Sequence, residues 1–144
     1  MSDSLVVACA ECASLNRVPI AKRLQQPRCG RCSKPVFGRA PVVLNQLNFD
    51  AHVKRSELTA IIDFWAPWCG PCVQFAPIFA EAASSLESRL RLLKLDTEAF
   101  PQLAQQFSIR SIPTLVAIRQ GQELGRVSGA MPLQTFVNWA AQWS

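Results

Sequence analysis

Six cysteines in this chain fall into three pairs of one spacing, Cys9 with Cys12, Cys29 with Cys32, and Cys69 with Cys72. The last pair lies in Trp68-Cys69-Gly70-Pro71-Cys72, directly after the apolar run Ala60-Ile61-Ile62-Asp63-Phe64-Trp65. A run of Ile, Phe and Trp that ends at a turn marked by Pro and Gly reads as a buried strand, so the pair sits where a strand gives way to a helix. At a helix N-terminus the unpaired N–H groups and the positive end of the dipole stabilise a thiolate, the form that attacks disulfides. The spacing therefore points to thiol redox chemistry. A structural disulfide, or half of a metal site, are the plain alternatives. Against them stand the absence of a secretory signal and of unclaimed Cys or His partners.

The other four cysteines form a second constellation, Cys9-Ala10-Glu11-Cys12 and Cys29-Gly30-Arg31-Cys32, with sixteen residues between the pairs. This is zinc-ribbon spacing, in which each pair gives two sulfurs to one tetrahedral ion. A segment of about forty residues has little apolar surface, so metal binding would supply its folding energy. Iron in the same sulfur set, or two structural disulfides, are the alternatives to zinc. Gly30 suits a tight turn inside the second pair.

The positive charge is concentrated beside that constellation. Residues 1–40 carry seven Lys or Arg (Arg17, Lys22, Arg23, Arg28, Arg31, Lys34, Arg39) against Asp3 and Glu11, whereas residues 41–144 carry eight of each sign. A basic appendage can meet nucleic acid or an acidic partner. The preferred reading is a solvated surface around a metal site, because four thiolates with one divalent ion bring about −2. No apolar run approaches the roughly 18 residues of a membrane span. The stretch Met1–Cys9 has a faint lipoprotein look, but it lacks a basic start and its apolar part is short, so it reads as retained and the chain as cytoplasmic.

The 144 residues accommodate one core of roughly a hundred residues and a small appendage. We read residues 1–40 as the four-cysteine module and its linker, and residues 41–144 as the main domain. Beyond the linker, strand-like and helix-like stretches alternate. Strands are predicted at Val42–Leu44, Ala60–Trp65, Arg91–Asp96, Thr114–Arg119 and Glu123–Ser128. Helices are predicted after Asn48 over Phe49–Arg55, from Cys69 to about Leu86 with Pro77 as a kink, from Pro101 to near Phe107, and from Pro132 through Trp143. This pattern is α/β: parallel strand pairs covered on both faces, made mixed by a closing hairpin.

Asp63 is the odd member of its strand. A carboxylate between Ile62 and Phe64 would be desolvated, which raises its pKa and makes it a proton acceptor near neutral pH; the alternative is an Asp at a strand end facing water. Lys94 shares a strand face with Leu92 and Asp96 and reads as solvated. His52, the only histidine, falls on what reads as an exposed helix and counts against a Cys-His protease. Ile112-Pro113-Thr114 opens an apolar strand, where propensity alone favours a trans proline.

With these residues assembled, the chain resembles the thioredoxin family over residues 42–144 and, through its four-cysteine extension, the thioredoxin 2 type. The resemblance rests on Asp63–Cys72, Ala76-Pro77, Lys94-Leu95-Asp96, Ile109–Thr114 and Ser128-Gly129-Ala130. It implies the thioredoxin fold, a mixed central sheet flanked by helices, with a cis Pro113 facing the cysteines and a substrate groove made by Trp68, Gly70, Pro71, Ile112, Pro113 and Gly129. It implies also that Asp63 lies beneath Cys72 with Lys94 near it. Ser128 stands where an apolar residue is usual. The implied activity is protein-disulfide reduction, with an exposed Cys69 attacking, Cys72 resolving, Asp63 taking a proton, and a thioredoxin reductase recycling the pair. The implied cofactor is one zinc ion on Cys9, Cys12, Cys29 and Cys32, with no organic cofactor. The expected partners are disulfide-containing proteins, with neither membrane nor nucleic acid among them. A zinc-dependent binding module and a redox-controlled chaperone are the rival readings.

Overall fold

A computed structural model describes residues 3–144; Met1 and Ser2, the start of the stretch read as retained, lie outside the described residues. Five strands build the main sheet: β3 (Val42–Val43), β4 (Ala60–Trp65), β5 (Arg91–Asp96), β6 (Thr114–Arg119) and β7 (Gln122–Ser128), in the order β3-β5-β4-β6-β7. β3, β5 and β4 pair in parallel, while β6 pairs antiparallel with both β4 and β7, so the sheet is mixed. Gln120 and Gly121, with φ of 50° and 81°, form the two-residue turn between β6 and β7. Positive φ at both centres matches the twist of the flanking strands, and glycine bears it without cost.

Strand alternation divides the core. Ala60, Ile62 and Phe64 of β4 join Leu93, Leu95, Val116 and Ile118 in a layer closed by Phe49, Val53 and Phe107. Ile61 points the other way and joins Leu92, Leu115 and Ala117 under two helices, α1 (Gly70–Leu86) and α3 (Leu133–Ala141). Phe75 and Phe79 of α1 meet Phe136 of α3, each at 5.5 Å between ring centroids. Burying aromatics of this size locks the helices to the sheet. The short α2 (Pro101–Gln105) lies between β5 and β6 in the chain.

Near residue 50 the structure departs from expectation. Asp50–Arg55 forms one wide turn of π type, and Asn45 serves it from in front, its side-chain oxygen accepting from the N–H groups of Leu47 and Asn48. Asn48 instead donates to the carbonyl of Val43 at 3.0 Å. His52, read from sequence as exposed, is buried; burial, with Arg91 nearby, pushes its pKa down to about 3.

A further element went unread in the sequence. β1 (Ser4–Ala8) and β2 (Leu15–Pro19) pair antiparallel, and the Cys9–Cys12 segment is the turn that joins them. This hairpin packs on the main sheet: Val6 N–H donates to the Glu57 carboxylate, Glu57 N–H donates to the Val6 carbonyl, each at 2.7 Å, and Leu58 joins a cluster with Val7, Val18, Val36 and Phe37.

Candidate functional site

The first candidate site begins with β4. Its last residue, Trp65, hands the chain to a turn in which Cys69 N–H donates to the Ala66 carbonyl at 3.1 Å. Cys69 has extended backbone at the N-cap of α1, and its sulfur accepts from the Cys72 N–H at 3.2 Å. Pro71 falls in the first helical turn, where a missing N–H costs nothing. Cys69 and Cys72 are joined as a disulfide. A sulfur at this position receives both the hydrogen bond and the dipole of the helix start, and both interactions favour a thiolate over a thiol.

Cys69 is less open than the sequence leads one to expect. It is 5% exposed against 1% for Cys72, because in the disulfide it packs with Ala66, Trp65 and Ile112. It is still the more accessible of the two residues. Trp68 stands beside it 70% exposed, Gly70 and Pro71 are exposed, and space around the Gly70 Cα is open. The Cys69 sulfur lies 3.8 Å from the carbonyl oxygen of Ile112, and Ile112–Pro113 is a cis peptide. Gly129, with φ of 102°, donates its N–H to the Pro113 carbonyl at 2.8 Å, a backbone that strongly favours glycine.

From Trp68 and Ile112 a groove of about 390 Å³ runs toward α2 along Thr97, Pro101, Gln105, Ser108 and Arg110. None of these five was legible as a groove residue, since they come together only through the loops after β5 and α2. Pro113 and Gly129 do not line it.

Asp63 is buried with no hydrogen bond to either carboxylate oxygen. It shares the parity of Ile61, so it lies on the α1 face of β4. Burial pushes its pKa up to about 7, and the Lys94 charge pulls the other way. Lys94 is the register partner of Asp63 across the parallel pair β4–β5. It is half-buried rather than solvated, its Nζ 4.5 Å from the centre of the Trp65 ring. Asp63 and Lys94 thus share one face of the sheet, the face covered by the helix whose first turn carries Cys72.

The second candidate site is the four-cysteine cluster, whose sulfurs lie within 4.8 Å of one another. Cys9 and Cys32 sulfurs are 3.7 Å apart, and those of Cys12 and Cys29 are 3.6 Å apart. A tetrahedron with metal–sulfur bonds of about 2.3 Å has edges of about 3.8 Å, so the cluster fits one tetrahedral thiophilic ion. The two halves repeat each other. Cys9 and Cys29 accept from the N–H two residues on, Glu11 at 3.4 Å and Arg31 at 3.3 Å. Ala13 and Ser33 then close each half with positive φ and an N–H bond to the Cys9 or Cys29 carbonyl. The left-handed residue of the second half is therefore Ser33, not Gly30. Asn16, unremarked in the sequence, donates to the Cys29 sulfur at 3.4 Å and accepts from the Gly30 N–H at 2.9 Å. Backbone N–H groups and the Asn16 amide push the Cys29 thiol down to about 6.

Both sites lie within stretches of the chain that match known families. The family model described as Thioredoxin matches residues 40–142, and the one described as Thioredoxin 2, N-terminal matches residues 8–34. Thioredoxin C-3 of Corynebacterium nephridii is 40% identical over 138 residues, covering 96% of this chain and 94% of that protein. Thioredoxin 1 of a Nostoc species is 44% identical over 87 residues, 60% of this chain and 81% of its own. The solved structure of the Malassezia sympodialis thioredoxin Mala s 13 superimposes with a TM-score of 0.64 at 29% identity, over 71% of this chain and 90% of that one. With a mixed sheet of this order and a disulfide at the head of α1, the chain belongs to the thioredoxin family.

Proposed function

We propose that the Cys69–Cys72 pair carries out the protein-disulfide reduction of this family, with Cys69 as the attacking sulfur. The observation that carries the assignment is the position of Cys69 at the N-cap of α1, with the Cys72 N–H aimed at its sulfur. The Cys69 thiolate attacks one sulfur of a substrate disulfide, forming a mixed disulfide and releasing the other substrate sulfur as a thiolate. Cys72 gives its proton to Asp63 and attacks the Cys69 sulfur, which releases the second substrate thiolate and leaves Cys69 and Cys72 bonded. Two electrons have then passed to the substrate, and a thioredoxin reductase returns them to the pair. Asp63 suits its part because burial brings its pKa to about 7, matched to a proton transfer at neutral pH. Lys94 keeps the ionised form within reach.

The substrate chain lies along Trp68, Gly70 and Pro71 on one side and Ile112, Pro113 and Gly129 on the other. The disulfide proteins that enter are those able to present an extended segment there.

In this proposal Cys9, Cys12, Cys29 and Cys32 hold one zinc ion as thiolates, a closed four-sulfur site that supplies folding energy rather than chemistry. We place the protein in the cytoplasm, a reducing compartment that keeps four such thiols available. No helix among the described residues is long and apolar enough to cross a membrane.

Replacing Cys72 with Ser tests the order of attack. The variant should accumulate a mixed disulfide between Cys69 and a substrate protein, identified by peptide mass analysis. A mixed disulfide that forms instead on Cys72, in a Cys69→Ser variant, would reverse the two roles. Metal analysis of the purified chain should find one zinc per molecule.

A further inference from the structure

Arg91 opens β5 and is 2% exposed, a rare burial for a guanidinium. Its Nη2 donates to two carbonyls of the N-terminal segment, Ala8 at 2.9 Å and Val36 at 3.1 Å. Ala8 immediately precedes the first cysteine of the metal cluster. Val36 lies four residues after the last, and its carbonyl also accepts the Ala10 N–H at 3.0 Å. The guanidinium is thus fastened to both strands of chain that enter and leave the four-sulfur site. Phe37 covers it at 5.6 Å from the ring centre, and Glu87, itself buried, approaches its Nε at 3.4 Å. The Arg91 N–H, in turn, bonds to the Thr59 carbonyl at 2.9 Å, next to the first residue of β4.

We propose that Arg91 is a positioning residue for the metal site, a clamp that makes ion retention in the N-terminal module and the integrity of β4 and β5 a single coupled property. A planar fork with several N–H donors can hold two carbonyls at once, which a lysine cannot do in the same geometry. The clamp works only while the two cysteine-bearing segments stay together. When they separate, a buried cation loses both carbonyl partners, and this disfavours the docked arrangement. Coupling of this kind is reciprocal: whatever loosens the clamp must weaken ion binding by the same factor that ion loss loosens the clamp. This inference rests on the proposed zinc site, although Arg91 touches no sulfur.

The test uses the full chain loaded with zinc. Arg91→Lys retains charge, and the double variant Glu87→Gln with Arg91→Met removes the buried pair together, so no lone charge is left inside. Both should release zinc to a coloured chelator about tenfold faster than wild type or more, in the range seen when residues supporting metal ligands are lost. Wild type stripped of zinc should show faster amide hydrogen exchange at Thr59–Ile61 and Arg91–Leu93, with α3 unchanged. If the double variant does not fold, the release rate of Arg91→Lys and the exchange pattern of wild type decide the matter. Wild-type release rates in a folded variant, or faster exchange confined to residues 3–40, would overturn the clamp while leaving the metal site standing. A chain that holds no zinc would overturn both.

Discussion

Cys69–Cys72 and the pairs Cys9–Cys12 and Cys29–Cys32 have one spacing and opposite fates. At the head of α1 the two sulfurs lie within reach of each other, and they bond. In the N-terminal module two such pairs face one another, all four sulfurs remain free, and their mutual distances suit a metal. The difference is made by the backbone on the C-terminal side of each first cysteine. After Cys69 a helix begins, presenting its unpaired N–H groups and dipole; after Cys9 and Cys29 the chain turns back through a left-handed residue and presents a second pair. Spacing sets which sulfurs can meet, and the backbone around them sets whether they exchange electrons or hold an ion.

That contrast is broken most severely by Cys69→Ser. A hydroxyl cannot form the mixed disulfide, so insulin reduction should fall below about a thousandth of wild type, while the zinc content stays at one per chain. Full activity in this variant would end the assignment of Cys69.

Cys29→Ser should do the reverse. Loss of one of four thiolates should lower zinc affinity by about a hundredfold or more, since ligand chemistry supplies most of the module's ordering. Insulin reduction should remain within about threefold of wild type, a difference of ~0.6 kcal/mol, because the disulfide lies at the opposite end of β4. A chelator assay and a turbidity assay on the same sample separate the two effects. Equal collapse of both would show that the sites are not divided as drawn.

Asp63→Asn probes the first site through stability. The folded state holds the Asp63 proton up to a pH of about 7, whereas the unfolded chain releases it at about 3.9. Ionisation therefore destabilises the fold increasingly as pH rises between these values, and the penalty is constant above about 7. A gap of roughly three units corresponds to about 4 kcal/mol. The substituted amide cannot ionise, so the variant should be more stable than wild type by about that amount at a pH of about 8 and no more stable below a pH of about 4, as read by denaturant midpoints. It should also resolve mixed disulfides more slowly. An equal gain at both pH values would mean that burial of the charge is not the cause.

How far such features were legible depended on sequence distance. The carboxylate of Asp63 could be read as buried because Ile62 and Phe64 flank it, and α1 could be placed because Cys69-Gly70-Pro71 both ends a strand and starts a helix; these are local signals. Of the N-terminal module only the ligand spacing was legible. The hairpin β1–β2 was hidden because its turn is the Cys9–Cys12 segment and carries no Asn-Gly signal. Gly30 drew the turn assignment that Ser33 takes, since φ above zero at a serine is not announced by composition. His52 and Arg91 were misjudged or passed over for a common reason: the burial of each depends on groups from far along the chain. Arg91 meets Ala8 across 83 residues. No periodicity reports a contact of that kind.

The smallest effect belongs to Ser128, the polar residue beside Gly129. Thr114 gives its hydroxyl proton to the Ser111 carbonyl at 2.6 Å, so in the 3.0 Å contact between the two hydroxyls Ser128 must be the donor and Thr114 the acceptor; each hydroxyl has only one proton to give. The bond ties the end of β7 to the start of β6, directly after Pro113. Ser128→Val removes it and leaves Thr114 with its own donation intact, at a partly wet position where an unfilled acceptor costs little. The stability loss should be about 0.5–1 kcal/mol, and the valine adds apolar surface beside Gly129, where the substrate chain is proposed to lie. Substrates with an apolar residue beside the disulfide should gain about two- to threefold in kcat/KM, consistent with less than ~1 kcal/mol of added contact, and charged ones should not. A uniform change across both substrate types would assign Ser128 a role in holding the Pro113 turn rather than in choosing what binds there.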